Sequence, residues 1–444
     1  LALPRQALSL FARKSRLEEF LTLKHDPLPD LCDSQASINE SPSSSPQPPK
    51  ADPTPPRIIL ACGDASGEAH SLRLIEALRK TYPNLQVSGF GGARLEADGM
   101  EVWQPLADLN VMGFKDVLAQ LPLFFGCVGR FARELKDHRP DAVVLVDYPG
   151  LNRHLLRIAA RAGVPVIDFI APQLWAWAPW RVSDFRRADE LLTILPFERD
   201  WFQRHGAEAT YIGHPLGDGL QHFADAEADM PEGWGQDGPC AESDRTADCN
   251  NPSTHWVGIL PGSRAREIEE NLPALLLAAK QLQNRKPEVR FILPHLRSKV
   301  DARIRQILAS SEIDVVYAPG CFHKVLPHLR AAWVASGTAL LEVAACGVPP
   351  VLVYGVSSRL GAWLSKNWLA VPWVGSLNLL AGKELAPEHL GRNLSPACLA
   401  KDLEERLDGP VRSQTLAEIK KLHPAFAAPG AAQRAAARIV RYLP

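Results

Sequence analysis

Residues 327–354 read PHLRAAWVASGTALLEVAACGVPPVLVY, and this stretch decides the fold. The apolar run Ala331 to Ala335 predicts a buried strand, Ser336-Gly337-Thr338 a turn, the residues around Glu342 a helix, and Val351 onward a second strand. Apolar strands joined through a helix belong to a parallel sheet covered on both faces. A small polar turn between strand and helix gathers free backbone N–H groups and the positive end of the helix dipole, which suits an anion. Glu342 follows Thr338 by one helical turn and can reach whatever that anion is attached to. Taken alone, the stretch leaves two readings open: a phosphate-and-ribose grip, or an ordinary strand–helix–strand unit with an incidental acid.

The same pattern repeats outward from this unit. Upstream lie short apolar runs at Val257 to Leu260, Val289 to Leu293 and Val315 to Tyr317. The first of them ends in Pro261-Gly262-Ser263-Arg264, ahead of an acidic helix start at Glu267 to Glu270. Ser263 and Arg264 are candidate contacts for a diphosphate; a surface arginine after a tight turn is the plainer alternative. Further upstream, Ile58 to Ala61, Gln86 to Phe90, Ala142 to Val146, Val166 to Ile170 and Leu191 to Ile194 predict five more strands. Amphipathic helices fall between them, such as 68–80 with Leu74, Ile75 and Leu78 on one face. The expectation is α/β: two doubly wound domains, with a ligand cleft between them at the carboxyl ends of their strands.

Two irregular stretches separate these blocks. Residues 25–56 are rich in Ser, Pro and Asp and predict a disordered leader, while the acidic 224–255 segment predicts a linker or insert. The domain expectation is therefore a leader (1–56), an N-terminal domain (57–223), the insert (224–255), a C-terminal domain (256–410) and closing helices (411–444). Those closing helices are Ala-rich, are expected to break at Pro424 and Pro429, and can pack back across the hinge.

Composition narrows the function class. The 444 residues are 46% hydrophobic with a formal net charge of −1, a balance that argues against a nucleic-acid partner. The eight cysteines are scattered with no CxxC pair, which favours a reducing compartment and no structural metal. No stretch reads as a membrane-spanning helix, because Gly337, Gly347 and Pro349-Pro350 interrupt the longest apolar run. Arg5, Arg13, Lys14 and Arg16, with no acid among the first 16 residues, allow an organelle-targeting reading of the leader.

Other candidates sit at strand ends. Gly63-Asp64-Ala65-Ser66-Gly67-Glu68 follows the first strand; its glycines allow close backbone approach, and the pattern is not the GxGxxG of a dinucleotide fold. Asp147 follows AVVLV and suits a general base or ligand contact, with a helix N-cap as the alternative. DFIAPQLWAWAPWR at 168–181 brings Trp175 and its neighbours either to an aromatic platform or to a core plug, and leaves Arg181 free for a phosphate or an acidic neighbour. His214, before the second break, is either a ligand contact or a hinge lock.

In order along about 57–440, GDASGE, GFGGARLEADGMEVW, NVMGFKDVL, VDYPGLN, APQLWAWAPWR, ILPFE, YIGHPL, LPGSRAREIE, ASGTALLE and LNLLAG resemble the lipid-A-disaccharide synthase family. These are inverting glycosyltransferases of the GT-B type, with two Rossmann-like domains. The resemblance implies transfer of 2,3-diacylglucosamine from UDP-2,3-diacylglucosamine to the 6-hydroxyl of 2,3-diacylglucosamine 1-phosphate. It implies Asp147 as general base and Arg264 near the donor diphosphate. Ser336, Gly337, Thr338 and Glu342 would hold diphosphate and ribose, and Asn378 would line the site. Gly63, Ser66, Gly67, Glu68, Trp175 and Ser263 complete the expected binding set, with no metal and no cofactor beyond the UDP-sugar substrate. Departures from the family pattern are the order of Asp64 and Glu68, Gly150 in place of a second Asp, and Gly375-Ser376-Leu377 without Pro.

Acylated substrates imply a cytoplasmic protein peripheral on the inner membrane face, and some relatives dimerise. Two stretches could face lipid: 104–131, with Val111, Met112, Phe114, Leu118, Leu121, Leu123, Phe124 and Phe125, and 359–374, with Trp363, Leu364, Trp368, Leu369 and Trp373. Core packing is the alternative for both. The rival functions are another GT-B UDP-sugar enzyme, including an epimerase, and a non-catalytic UDP-sugar-binding relative.

Overall fold

A computed structural model describes residues 13–23, 55–106, 121–220, 255–296, 300–356 and 371–444. They form two parallel sheets in two compact units. The first sheet holds β1 (Arg57–Cys62), β2 (Gln86–Phe90), β3 (Glu101–Gln104), β4 (Ala142–Val146), β5 (Val166–Phe169), β6 (Glu190–Thr193) and β7 (Ala209–Tyr211). Its order is β3-β2-β1-β4-β5-β6-β7. The second holds β8 (His255–Leu260), β9 (Val289–His295), β10 (Val315–Pro319), β11 (Ala331–Ala335), β12 (Pro350–Gly355) and β13 (Glu388–Gly391). Its order is β10-β9-β8-β11-β12-β13.

The apolar runs become the middle of each sheet because parallel strands must be covered on both faces. All five residues of β4 are fully buried between β1 and β5. In the second unit Val257 and Ile259 pack under Ile268, Leu272 and Leu275 of the helix Ala265–Arg285, with Leu399 and Leu403 of the helix Pro396–Glu404. Burying each such side chain contributes about 1.5–3 kcal/mol. Trp333 of β11 joins this core and donates its indole N–H to the Leu399 carbonyl at 3.0 Å.

Differences from the sequence expectations have physical causes. β3, β7 and β13 carry no apolar run, and each lies at a sheet edge, where burial is not required. The helix expected at 68–80 starts at Ala65, because the Asp64 carboxylate accepts the Gly67 N–H at 2.7 Å and caps it. Pro424 does not break its helix, which runs Gly409–Ala427. Pro424 lies in the last turn, between buried Ile419 and Phe426, where it removes one backbone bond from a long helix. The break comes at Pro429-Gly430, with Gly430 at φ 96°.

The terminal segment Ala428–Pro444 belongs to the unit that carries β1–β7, while Gly409–Ala427 belongs to the unit that carries β8–β13. The Asp218 carboxylate accepts N–H groups of Gly430, Ala431 and Ala432 and so caps the helix Ala431–Ile439. Arg434 of that helix donates to the Ile212 carbonyl at 2.7 Å.

Among the described residues, no helix is long and apolar enough to cross a membrane. Of the leader, residues 13–23 are described and carry a helix at Arg13–Leu21, where the sequence reading expected none; most of the rest of it, almost all of the acidic insert, and 107–120 and 357–370 fall outside the described residues. Most of the lipid-facing expectation lies there, including Val111, Met112, Phe114, Leu118, Trp363, Leu364, Trp368 and Leu369. In the described helix Leu121–Asp137, Phe131 and Leu135 are buried whereas Phe125 is 66% exposed.

Candidate functional site

Each sheet reverses its strand order once, between β1 and β4 in the first and between β8 and β11 in the second. Crossovers leave such a pair in opposite directions, so a crevice opens beyond the carboxyl ends. GDASGE follows β1 and Asp147 follows β4; PGSR follows β8 and SGT follows β11. These four turns therefore stand at the two reversals, whereas the tryptophan-rich turn after β5 and His214 after β7 do not.

At the first reversal, strand register puts Cys62 beside Val146, so Gly63 and Asp147 come next on adjacent strands. Gly63 is required by its neighbour: a Cβ there would lie 2.3 Å from Cγ of the Tyr148 ring. Gly67 is similarly close-packed, its would-be Cβ 3.3 Å from Cβ of Cys62. Ser66 Oγ lies 3.2 Å from His70 Nε2. Burial, then Arg73, lowers the His70 pKa to about 4, so the ring is neutral near pH 7.

Asp147 is half-buried and has φ 37°. The next position on β5's side, Ile170, has φ 68°, and these two are the only non-glycine residues with positive φ among the described residues. Such backbone costs roughly 1–3 kcal/mol per residue and persists where surrounding structure enforces it. Burial raises the Asp147 pKa from 3.8 to about 7, helped by the charges of Asp64 and Glu198. A carboxyl poised near neutrality can accept a proton during reaction.

Three residues expected to touch ligand instead hold the fold together, and these are corrections. Glu68 is 4% exposed, and its Oε1 accepts the N–H groups of Arg94 and Leu95 at 2.9 and 3.2 Å, tying the helix Ala65–Arg79 to the helix Ala93–Ala97. Trp175 is 3% exposed and donates its indole N–H to Glu198 at 3.1 Å, with its ring edge-on to Phe197, so the core reading of this tryptophan holds. Half-exposed Trp177 instead carries the Arg181 guanidinium 5.0 Å from its ring centre. Asn378 is fully buried: its amide donates to Ala386 O and Glu388 Oε1 and accepts from the N–H groups of Leu385 and Ala386. His214 is buried too, with Nδ1 accepting the Leu216 N–H at 3.1 Å and its pKa lowered by burial to about 3.

At the second reversal, Gly262 has φ 119°, and a Cβ would lie 2.5 Å from Glu267 Oε2. That carboxylate accepts the N–H groups of Ser263 and Arg264 at 3.1 and 3.3 Å, while its other oxygen meets Arg264 Nη1 at 3.2 Å. The side chain of Arg264 is 58% exposed, so most of its five-donor fork remains open to an outside anion. Across β11, Ser336 is half-buried while Gly337 and Thr338 are exposed at the start of the helix Thr338–Ala345. Glu342 lies one turn in, with Oε1 3.2 Å from His323 Nε2.

Supporting partners were not singled out by sequence. Glu198 lies in the noted ILPFE block, yet its burial gives it a pKa of about 7 and its hydrogen bonds brace β6 against the next helix. Asn271 bridges Pro261 O and Gly355 N at 2.8 and 2.7 Å, and no local pattern announces that pairing. His323 carried no signal either. Among the described residues, no group of three or more His, Cys, Asp or Glu is placed to hold a metal ion.

The model of the lipid-A-disaccharide synthetase family matches residues 58–427. The chain is 34% identical over 396 residues to the lipid-A-disaccharide synthase of Acidobacterium capsulatum, across 86% of this chain and 94% of that protein. It is 33% identical over 391 residues to that of Myxococcus xanthus, across 87% and 98%. Among solved structures it is similar to the UDP-GlcNAc 2-epimerase of Neisseria meningitidis bound to UDP-GlcNAc, with TM-score 0.57 and 11% identity over 87% of this chain and 99% of that one. It is also similar to a calicheamicin glycosyltransferase, with TM-score 0.54 and 18% identity over 88% and 98%. These structural likenesses share the two-sheet GT-B fold.

Proposed function

The chain belongs to the lipid-A-disaccharide synthetase family, and on that premise we propose the following reaction. The protein transfers 2,3-diacylglucosamine from its UDP derivative to the 6-hydroxyl of 2,3-diacylglucosamine 1-phosphate. The hydroxyl oxygen attacks the anomeric carbon as the bond to the UDP oxygen breaks, which gives a β-1′,6-linked disaccharide. The hydroxyl proton passes to the Asp147 carboxylate, and the leaving diphosphate takes the bonding electrons. Arg264, Ser263 and the Ser336-Gly337-Thr338 turn stabilise that charge, and Glu342 accepts from the ribose hydroxyls. The UDP-sugar is the donor substrate, and no cofactor enters the scheme. The observation that carries the reading is Asp147 itself, on strained backbone at a strand-order reversal with a carboxyl near neutrality.

The test separates binding from turnover. Asp147→Asn is expected to bind UDP normally by calorimetry while kcat falls about 10²–10⁴-fold. Full turnover in folded Asp147→Asn refutes the base assignment. Its lipid substrates also place the protein on a membrane surface, with exposed Phe125 as one contact. Phe124→Ser/Phe125→Ser should then sediment less with anionic vesicles, and unchanged sedimentation refutes this contact.

A further inference from the structure

We propose that His70 is a positioning residue: its Nε2–H donates to Ser66 Oγ, which leaves the Ser66 hydroxyl hydrogen directed outward, to an oxygen of the acceptor sugar phosphate. The inference rests on the reading of Asp147 as the base, which puts the acceptor at the same strand-order reversal. It extends that reading to a histidine that no motif singles out.

Ser66 and His70 stand one turn apart on the helix Ala65–Arg79, with Ser66 Oγ 3.2 Å from His70 Nε2. Helical side chains lean toward the N-terminus, so the His70 ring reaches back to the first turn. That turn is held at the reversal. Asp64 caps the helix through the Gly67 N–H, and Gly67 packs against Cys62, the last residue of β1. Asp64, two residues before Ser66, is close enough for its charge to act on Asp147. Ser71 on the same helix donates its hydroxyl to the Gly67 carbonyl, four residues back, at 2.7 Å. Ser66 is the second residue of the helix and has no helical carbonyl four residues back, so its hydrogen is not committed to the backbone. Its side chain belongs to a half-buried residue, within reach of a ligand.

The surroundings of the ring decide which way this hydrogen bond runs. A neutral imidazole carries one N–H, on either nitrogen. His70 Nδ1 is buried and meets no hydrogen-bond partner among the described residues. The basic side chains whose charges couple to the ring are Arg73 and His214. Arg73 can only donate. His214 accepts the Leu216 N–H at Nδ1, so its own proton sits on Nε2 and it too can only donate toward His70. A proton on His70 Nδ1 would therefore be a buried donor without an acceptor, which folded proteins rarely tolerate, whereas a bare lone pair there is the milder omission. The proton belongs on Nε2 and points at Ser66 Oγ. With that oxygen accepting, the hydroxyl hydrogen turns away from the ring. A sugar hydroxyl or a phosphate oxygen of the acceptor offers the lone pair it needs.

Kinetics of the full chain test this through the geometry of the replacement. Gln carries an amide N–H as far along its side chain as Nε2, whereas that of Asn falls where Nδ1 does. Ser66→Ala and His70→Asn should each raise the acceptor KM about tenfold, with the donor KM and kcat within about twofold. The double variant should do no more than Ser66→Ala alone. His70→Gln should bring the acceptor KM back to within about threefold of wild type. An unchanged acceptor KM in Ser66→Ala, losses that multiply in the double variant, or a loss that Gln does not recover in folded protein each overturn the proposal. An acceptor lacking its 1-phosphate identifies the oxygen: a Ser66→Ala penalty that vanishes assigns the phosphate, and one that persists assigns a sugar hydroxyl. Long-range proton–nitrogen NMR of the wild type at about pH 7 reads the ring directly, whether or not a variant folds. The proton should lie on Nε2, and a proton on Nδ1 overturns the proposal. Failure of the base assignment appears separately, as activity retained by Asp147→Asn, and leaves the NMR result standing.

Discussion

Replacing Asp147 by Asn should make the protein more stable and less active, and the gain in stability should depend on pH. The carboxyl rises from 3.8 to about 7 on folding, chiefly through burial. The folded state therefore binds this proton more tightly than the unfolded chain. That contribution is fully favourable below the unfolded value, declines as pH rises toward the folded value, and becomes a constant penalty beyond it. At about 1.36 kcal/mol per unit, a shift of this size sets an upper bound near 4 kcal/mol, and shared titration with neighbouring acids lowers it to roughly 2–4. Asn removes the charge and tolerates the positive φ better than most residues, so backbone strain at φ 37° does not offset the gain. Chemical denaturation of wild type and Asp147→Asn, followed by tryptophan fluorescence at about pH 5 and about pH 8, reads the difference. The variant should gain more at the higher pH, while turnover collapses. An equal difference at both values, or a variant less stable at pH 8, refutes the reasoning.

Three further outcomes follow from the packing. Asn378→Ala strands the buried N–H groups of Leu385 and Ala386 and should cost about 2–4 kcal/mol, read as a lower denaturation midpoint. Gly63→Ala puts a methyl 2.3 Å from the Tyr148 ring, so the ring must move. A stability loss of about 1–3 kcal/mol is expected, with a lower kcat, while UDP binding stays unchanged by calorimetry. Trp175→Phe removes one donor from buried Glu198 and should destabilise by about 1–2 kcal/mol. That loss should be larger at about pH 8 than at about pH 5, because it raises a carboxyl already near 7.

Much of the scaffold was legible because burial on both faces forces apolar runs: β4 and β11 begin and end where their hydrophobic residues do. The short strands β3, β7 and β13 were not, since none carries an apolar run, whereas β10 at another edge has Val315 and Val316 and was read. The turns at both strand-order reversals were also legible, because small residues between strand and helix are a local signal. What each polar residue in them touches is a long-range matter. Glu68 meets backbone 26 residues away, and Asn271 clamps one 84 residues away. Sequence reading could rank Glu68, Trp175 and Asn378 as important, yet it could not tell a ligand contact from a buried brace.

Incubating the purified chain with UDP-2,3-diacylglucosamine and 2,3-diacylglucosamine 1-phosphate, with products followed by mass spectrometry and proton NMR, tests the proposed transfer most directly. The account predicts UDP and a tetraacyl disaccharide 1-phosphate in equal amounts, with a β linkage and turnover about 10²–10⁴-fold slower in Asp147→Asn. UDP release without disaccharide, or a 2-epimerised donor, would contradict it.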